Sequence, residues 1–383
     1  MIPLSVPAIV GNAWTYIKDC LDSGWVSSAG QYVNLFESTF ATFTGALHAV
    51  ACTNGTAALH VALRLAGVKP GEEVIVPTLT FIATINPVSY LGAHPVFMDC
   101  DDYYNIDVEK VDDFLKRQTF KKKGGTYNRE SGRRIAAIVP VHVFGNAARV
   151  KEIVNICSDY GISVVEDASE ALGTFYLDGI YLGSHVGIIG DIGCFSFNGN
   201  KMITTGSGGM IVTNKQKLAD AAHYLTTQAK DDELRYIHND IGYNYRLSNI
   251  QSALGVAQME KLSEFIRIKQ DNFAYYSENI NPIEGLTLTH GPEYASNNHW
   301  LYALQINRRY KWNRDGLMDH LAQCGIQTRP VWQLNHLQRP YRHCQHFHIE
   351  RAFALHANTL NIPSSINLTK DDIDFVVNRL KDV

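Results

Sequence analysis

Gly193-Cys194-Phe195-Ser196-Phe197-Asn198-Gly199-Asn200-Lys201-Met202-Ile203-Thr204-Thr205-Gly206-Ser207-Gly208-Gly209 decides how this chain is read. It sets a lysine between the hydroxyl of Ser196 and a downstream run of small residues. Lysine is the side chain that condenses with aldehydes to form a Schiff base. Gly199 and the Gly206–Gly209 run give Lys201 a compact backbone setting. Upstream, Val164-Val165-Glu166-Asp167 reads as a buried strand ending in a carboxylate. A protonated heterocyclic nitrogen requires such a partner.

Working outward, short β-branched runs recur at Glu73–Val76, Pro95–Met98, Ile135–Val139, Ile162–Val165 and Met210–Val212. Stretches of helical spacing, such as Ala57 to Leu65 and Ala148 to Ser158, lie between them. The strands are apolar nearly throughout, which predicts burial on both faces and a mostly parallel α/β sheet. Ligands of such sheets bind beyond the strand C-termini, where Pro77, Asp99, His142 and Asp167 fall. A long helix is predicted from Leu247 to about Asn279. The expected division is therefore a large α/β domain with an N-terminal helical segment over residues 1–246, a linking helix over 247–280, and a smaller α+β domain over 281–383. In that smaller domain a strand is predicted from Trp300 to Ile306, and helices from Arg314 to Cys324 and from Lys370 to Lys381. The basic stretch from Lys121 to Arg134 reads as a solvated surface loop.

Composition narrows the function classes. A formal charge of -4 over 383 residues gives no electrostatic reason to expect nucleic-acid or membrane binding. No apolar run approaches the roughly 18 residues of a membrane span, and Met1–Pro7 lacks the pattern of a signal peptide. The cysteines at 20, 52, 100, 157, 194, 324 and 344 are dispersed and odd in number. That argues against a disulfide framework or a metal cluster, and for a reducing cytoplasm.

Asn54-Gly55-Thr56-Ala57 places a glycine and a hydroxyl at the start of a helix that follows a strand. Such an N-terminus can dock a phosphate, although taken alone it reads more often as an ordinary capped helix start. Ser196 offers a further hydroxyl, and Phe81, in Pro77–Thr84, an aromatic face that is otherwise simply core. Lysine, carboxylate, phosphate-binding backbone and aromatic face together match the needs of pyridoxal 5'-phosphate.

On these motifs the chain resembles the DegT/DnrJ/StrS family of nucleotide-sugar aminotransferases, pyridoxal-phosphate enzymes of the aspartate-aminotransferase fold (fold type I). The resemblance runs from Ser5-Val6-Pro7 to Leu360–Ser365. It implies that Lys201 carries the cofactor and moves the proton between donor and cofactor carbons, with Asp167 the partner of the ring nitrogen. It also implies that Gly55, Thr56 and Ser196 hold the phosphate, with Phe81 over the ring. Within Gly242–Leu247, Asn244 matches the position that contacts the neighbouring subunit's phosphate, so a homodimer with its site at the interface is implied. Two positions depart from the family. Glu170 stands where Gln or His is usual, adding a carboxylate near the ring, and Ser207 stands where Glu is common.

A finer resemblance rests on Ser23–Ser28, Phe197–Lys201, Leu225–Lys230 and Tyr236–Asn239. It points to the branch that transfers an amine from L-glutamate to UDP-4-keto-6-deoxy-N-acetylglucosamine for bacterial glycans, with the pyridoxamine form of the cofactor in mid-cycle. The alternative is the same chemistry on a GDP- or TDP-linked 4-keto or 3-keto sugar, such as a perosamine precursor. A sugar dehydratase of this fold typically has histidine in place of Lys201, and a silent binding module has no need of Lys201 and Asp167. Candidate sugar-nucleotide contacts are Trp25, Ser27, Lys230, His238, Arg246, Arg329 and His336.

Overall fold

The structure, a computed structural model, describes residues 1–232 and 234–382. Its large sheet comprises β1 (His48–Cys52), β2 (Glu73–Pro77), β3 (His94–Met98), β4 (Ile135–Ile138), β5 (Ser163–Asp167), β6 (Ile192–Ser196), β7 (Gly209–Thr213) and β8 (His346–Phe347). Their spatial order is β1-β7-β6-β5-β4-β2-β3-β8. β7 runs antiparallel to both of its neighbours, and the remaining pairs are parallel.

The near-continuous apolar strands are explained by helices on both faces. In β2, Val74 and Val76 pack with Val61 and Ala62 of the helix Gly55–Leu65. Ile75, between them, faces the other way, onto Phe114 and Ile153 of the helices Val108–Gln118 and Val150–Tyr160. Period-two alternation thus splits one apolar run between two cores. Parallel pairing aligns the C-terminal ends of β2, β3, β4, β5 and β6 along one edge, which is where the site forms.

A second, antiparallel sheet joins Leu286–Leu288, Tyr302–Ile306, Thr359–Ile362 and Arg329–Pro330 in that order. Its core includes Phe273 and Tyr276 of one helix and Ile373 and Val377 of the last, which spans Lys370–Lys381. The chain crosses the expected division at several points. Ile2 pairs beside Ile326 in the smaller unit, and β8 returns to the edge of the large sheet.

Three local readings need correction. The long helix expected over 247–279 is two helices, Asn249–Met259 and Leu262–Ile280. The first buries Ala253 and Val256 with Phe36 and Phe40 of the N-terminal helix Gln31–Thr44. The second buries Phe273, Tyr276 and Ile280 in the smaller unit. A break at Glu260-Lys261 lets each stripe meet its own partner. The basic stretch is a hairpin rather than a loop, with Thr119–Lys122 paired to Gly125–Asn128. The strand expected from Trp300 begins only at Tyr302. His299 takes φ 52°, and the Trp300 N–H is capped by the Asn298 side chain at 2.9 Å. That kink frees Trp300 from the sheet. Among the described residues no helix is long and apolar enough to cross a membrane.

Candidate active site

The ends of β1, β2, β5 and β6 open on a cavity of about 340 Å³ lined by Gly55, Phe81, Asp167, Ser196 and Lys201, among others. Asp167 closes β5. Its N–H donates to the Pro140 carbonyl at 2.9 Å, and its own carbonyl accepts from the His142 N–H at 3.1 Å, which ties it to the segment after β4. Alternation along the strand separates its two carboxylates. Glu166 is clasped by the N–H groups of Gly187 and Ile189 behind the sheet, while Asp167 lines the cavity. Both Asp167 oxygens are engaged: the Thr84 hydroxyl donates to Oδ2 at 2.7 Å and the Ser169 N–H to Oδ1 at 3.0 Å.

Across the cavity, the helix Gly55–Leu65 begins with Asn54 as its cap, the side chain accepting from the Ala57 N–H at 2.8 Å. The N–H groups of Gly55 and Thr56 have no intrahelical acceptor, and both residues line the cavity. Glycine at 55 is a steric requirement, since a Cβ there would lie 2.8 Å from the Ser196 Cβ. A Cβ on Gly209 would lie 2.5 Å from the Asn54 carbonyl carbon. Both glycines thus let β6 and β7 close on the helix start. The Thr56, Ser196 and Ser207 side chains line the same region.

Lys201 follows β6 in a loop pinned by its own N–H to the Asn198 carbonyl (3.0 Å) and by the Trp300 indole N–H to the Asn200 carbonyl (2.6 Å). Its Nζ stands 3.7 Å from Glu170 Oε1 and 3.8 Å from the centre of the Trp300 ring. Burial pulls the Lys201 ammonium below the ordinary lysine range, while Glu170 and Asp167 oppose that shift. Burial likewise pushes the Glu170 carboxyl up to about 7, with Lys201 and the Phe144 N–H pulling it back. Behind Trp300, Lys269 is buried and donates to the Trp300 carbonyl at 2.6 Å.

These groups fit pyridoxal phosphate by their chemistry. Orphan helix N–H groups and hydroxyls stand ready for an anion, a carboxylate for a ring nitrogen, and a partly desolvated amine for an aldehyde. Phe81, 50% exposed, sits at the lip with its ring 6.3 Å from that of Trp332.

Several lining groups escaped the sequence reading. Trp300 and Trp332 stack in a wall of indoles, their centroids 6.5 Å apart. Each arrives from a distant segment, so no local pattern marks it. Thr84 was within reach, because the Thr-rich run after β2 ends beside the cavity.

None of the expected sugar-nucleotide contacts lines this chain's own cavity. Among the described residues, Trp25, Ser27, Lys230, His238, Arg246, Arg329 and His336 do not line the Lys201 cavity. Arg246 turns inward. Its side chain is only 6% exposed and is paired with Glu37, one contact being Nη2 to Oε2 at 3.1 Å. His336 is buried beside Thr78, its Nδ1 2.6 Å from the hydroxyl oxygen, and burial together with His346 pushes it down to about 4. A neutral ring cannot offset a diphosphate's charge. Arg329 is exposed and donates to the Thr328 carbonyl at 2.8 Å.

Lys230 and Arg246 line a separate groove with Ser28 and Gly30. Asn249 donates to the Trp25 carbonyl at 2.7 Å and to the Ser27 carbonyl at 2.6 Å. Asn244 and His238 are both exposed and both contact Gln228, at 2.8 Å each. We expect Arg246→Ala to cost about 3 kcal/mol of stability by stranding the Glu37 carboxylate. Chemical denaturation measures this. A stable variant with a raised KM for the sugar nucleotide would return Arg246 to the substrate path. Among the described residues no group of His, Cys, Asp or Glu is arranged to hold a metal ion.

Comparison with known proteins adds three findings. The model of the DegT/DnrJ/EryC1/StrS aminotransferase family matches residues 7–381. Two similar proteins are named GDP-perosamine synthase. That of Caulobacter vibrioides is 36% identical over 384 residues, covering 100% of this chain and 98% of the relative. That of Vibrio cholerae is 35% identical over 387 residues, with the same 100% and 98% coverage. A crystal structure of a DegT DnrJ EryC1 StrS aminotransferase from Brucella abortus superimposes with a TM-score of 0.87 at 27% identity, covering 97% of this chain and 95% of that one.

Proposed function

The chain belongs to the DegT/DnrJ/EryC1/StrS aminotransferase family, and from that premise we propose that it moves the amino group of L-glutamate to carbon 4 of a GDP-linked 4-keto-6-deoxy sugar. That it is a sugar aminotransferase using pyridoxal phosphate follows from the family itself. The GDP-linked acceptor rests on one observation: proteins named GDP-perosamine synthase match it from end to end. This places the alternative of the sequence reading ahead of the UDP-linked N-acetylglucosamine derivative.

Bound in the cavity, pyridoxal phosphate supplies an aldehyde for the travelling amine and a ring that accepts electrons. In our reading Gly55, Thr56 and Ser196 hold the phosphate, and Asp167 keeps the ring nitrogen protonated. Lys201 would hold the cofactor through its Nζ and, as a free amine, would move the proton from the donor's α-carbon to the cofactor carbon. Trp300, Trp332 and Phe81 shield that proton from water. Donor and acceptor use the same amine in turn, so ping-pong kinetics follow.

We propose further that two chains assemble, each completing the other's site. Asn244 is exposed and outside its own cavity, and Tyr236, Ile237 and Ile241 beside it are exposed apolar residues. A cytoplasmic setting accords with cysteines that are all free.

The test is an assay with L-glutamate and GDP-, UDP- and TDP-linked 4-keto-6-deoxy sugars, with products identified by proton NMR. We expect kcat/KM for the GDP-linked sugar to exceed the others by about 100-fold, the discrimination available when a site's polar groups pair with one base and are left unpaired by another. A UDP- or TDP-linked sugar turning over fastest would overturn the reading.

A further inference from the structure

Glu170 has a position and an anchorage that the roles assigned so far do not use. The cavity lining carries three titratable side chains among the described residues: Asp167, Glu170 and Lys201. Asp167 has both oxygens committed, to the Thr84 hydroxyl and the Ser169 N–H. Glu170 has only one committed. Its Oε2 accepts the Phe144 N–H at 2.8 Å, and its Oε1 faces Lys201 Nζ at 3.7 Å.

That anchorage is unusual. Phe144 donates from a left-handed backbone, φ 56° and ψ 20°, which side-chain-bearing residues seldom adopt. Packing holds it there: its ring stacks on Trp332 at 5.0 Å and meets Tyr104 edge-on at 5.3 Å. The preceding Val143 N–H is fixed to Asn105 Oδ1 at 3.0 Å. On the other side, Asn298 donates to the Glu170 carbonyl at 2.9 Å. The carboxylate is thus aimed from both ends, with Trp300 completing the cage around Nζ at 3.8 Å.

We propose that Glu170 is the charge partner of Lys201: its Oε1 stabilises the ammonium that Lys201 becomes on taking a proton from substrate, until that proton is passed on. The step balances simply. A C–H bond of the donor breaks, its electron pair stays on the carbon side, and an N–H bond forms at Lys201. The Glu170 carboxylate, 3.7 Å away, balances the positive charge this creates, and the N–H bond breaks again when the proton is delivered to the cofactor carbon. In so buried a cavity an isolated ammonium is disfavoured. Burial disfavours the Lys201 ammonium, and the Glu170 carboxylate opposes that shift.

The inference rests on Lys201 being the reacting amine but not on the identity of the sugar, so neither readout uses a nucleotide sugar. The first is the pH midpoint of the absorbance change of the cofactor-loaded, full-length enzyme, which reports protonation at the Lys201 nitrogen. The second is the rate at which L-glutamate bleaches that enzyme in a single turnover. Glu170→Gln keeps an acceptor for Phe144 and removes the charge. We expect its midpoint to fall by about one pH unit or more, because the protonated form loses its counter-charge. Bleaching should slow by about 10- to 100-fold with unchanged glutamate affinity. Glu170→Asp, which restores the charge at a longer reach, should recover part of both effects. A midpoint within a few tenths of a unit of wild type, or bleaching at the wild-type rate, overturns the proposal. An absorbance unaffected by Lys201→Ala would sink the cofactor reading beneath it.

Discussion

Lys201→Ala is expected to lower transamination by at least about 10⁴-fold, because two functions are lost together. One is the attachment point and the other is the base that moves the proton. The fold should survive the change. The loop is held by main-chain contacts, from the Lys201 N–H to Asn198 and from the Trp300 indole to the Asn200 carbonyl, and not by the ammonium. What remains at the site is the Glu170 carboxylate, no longer opposed by a cation 3.7 Å away and therefore shifted further toward its neutral form. Rate measurement with L-glutamate and the keto sugar decides the matter. Sustained turnover by the alanine variant would remove Lys201 from the mechanism.

The second large effect is expected at Asp167. Asp167→Ala should cut kcat by about 10³-fold, since a preorganised charge in a buried position is worth several kcal/mol. The same change leaves the Thr84 hydroxyl and the Ser169 N–H without their acceptor, at a cost of about 1–3 kcal/mol in stability. Asp167→Asn separates the two contributions. Its carbonyl oxygen still accepts one donor, so stability should largely return while kcat stays low. A neutral variant that transaminates at the wild-type rate would show that the ring nitrogen does not depend on this carboxylate.

The two residues differ in how readable they were. Asp167 stood at the end of a short β-branched run, and a strand end in a parallel sheet has one location. Lys201 stood in a glycine-rich stretch, of which Gly208 and Gly209 are required by close approaches, Gly209 against Asn54. The cations expected to line a diphosphate's path were not readable in this way. Arg246 and His336 have the right chemistry, but one is neutralised by Glu37 and the other desolvated beneath Thr78. No spacing rule reports either partner, since they are separated from them by 209 and 258 residues.

Periodicity and motif therefore determined the layered α/β architecture, the lysine and aspartate that line one cavity and the capped helix start at Gly55, because each is written within a few consecutive residues. The wall of Trp300 and Trp332, the break that makes two helices of 249–280 and the aim of Glu170 emerged only in three dimensions. They depend on long-range packing, such as the left-handed turn at Phe144 held by Trp332. Local preference does not encode which distant segment will arrive to hold such a conformation.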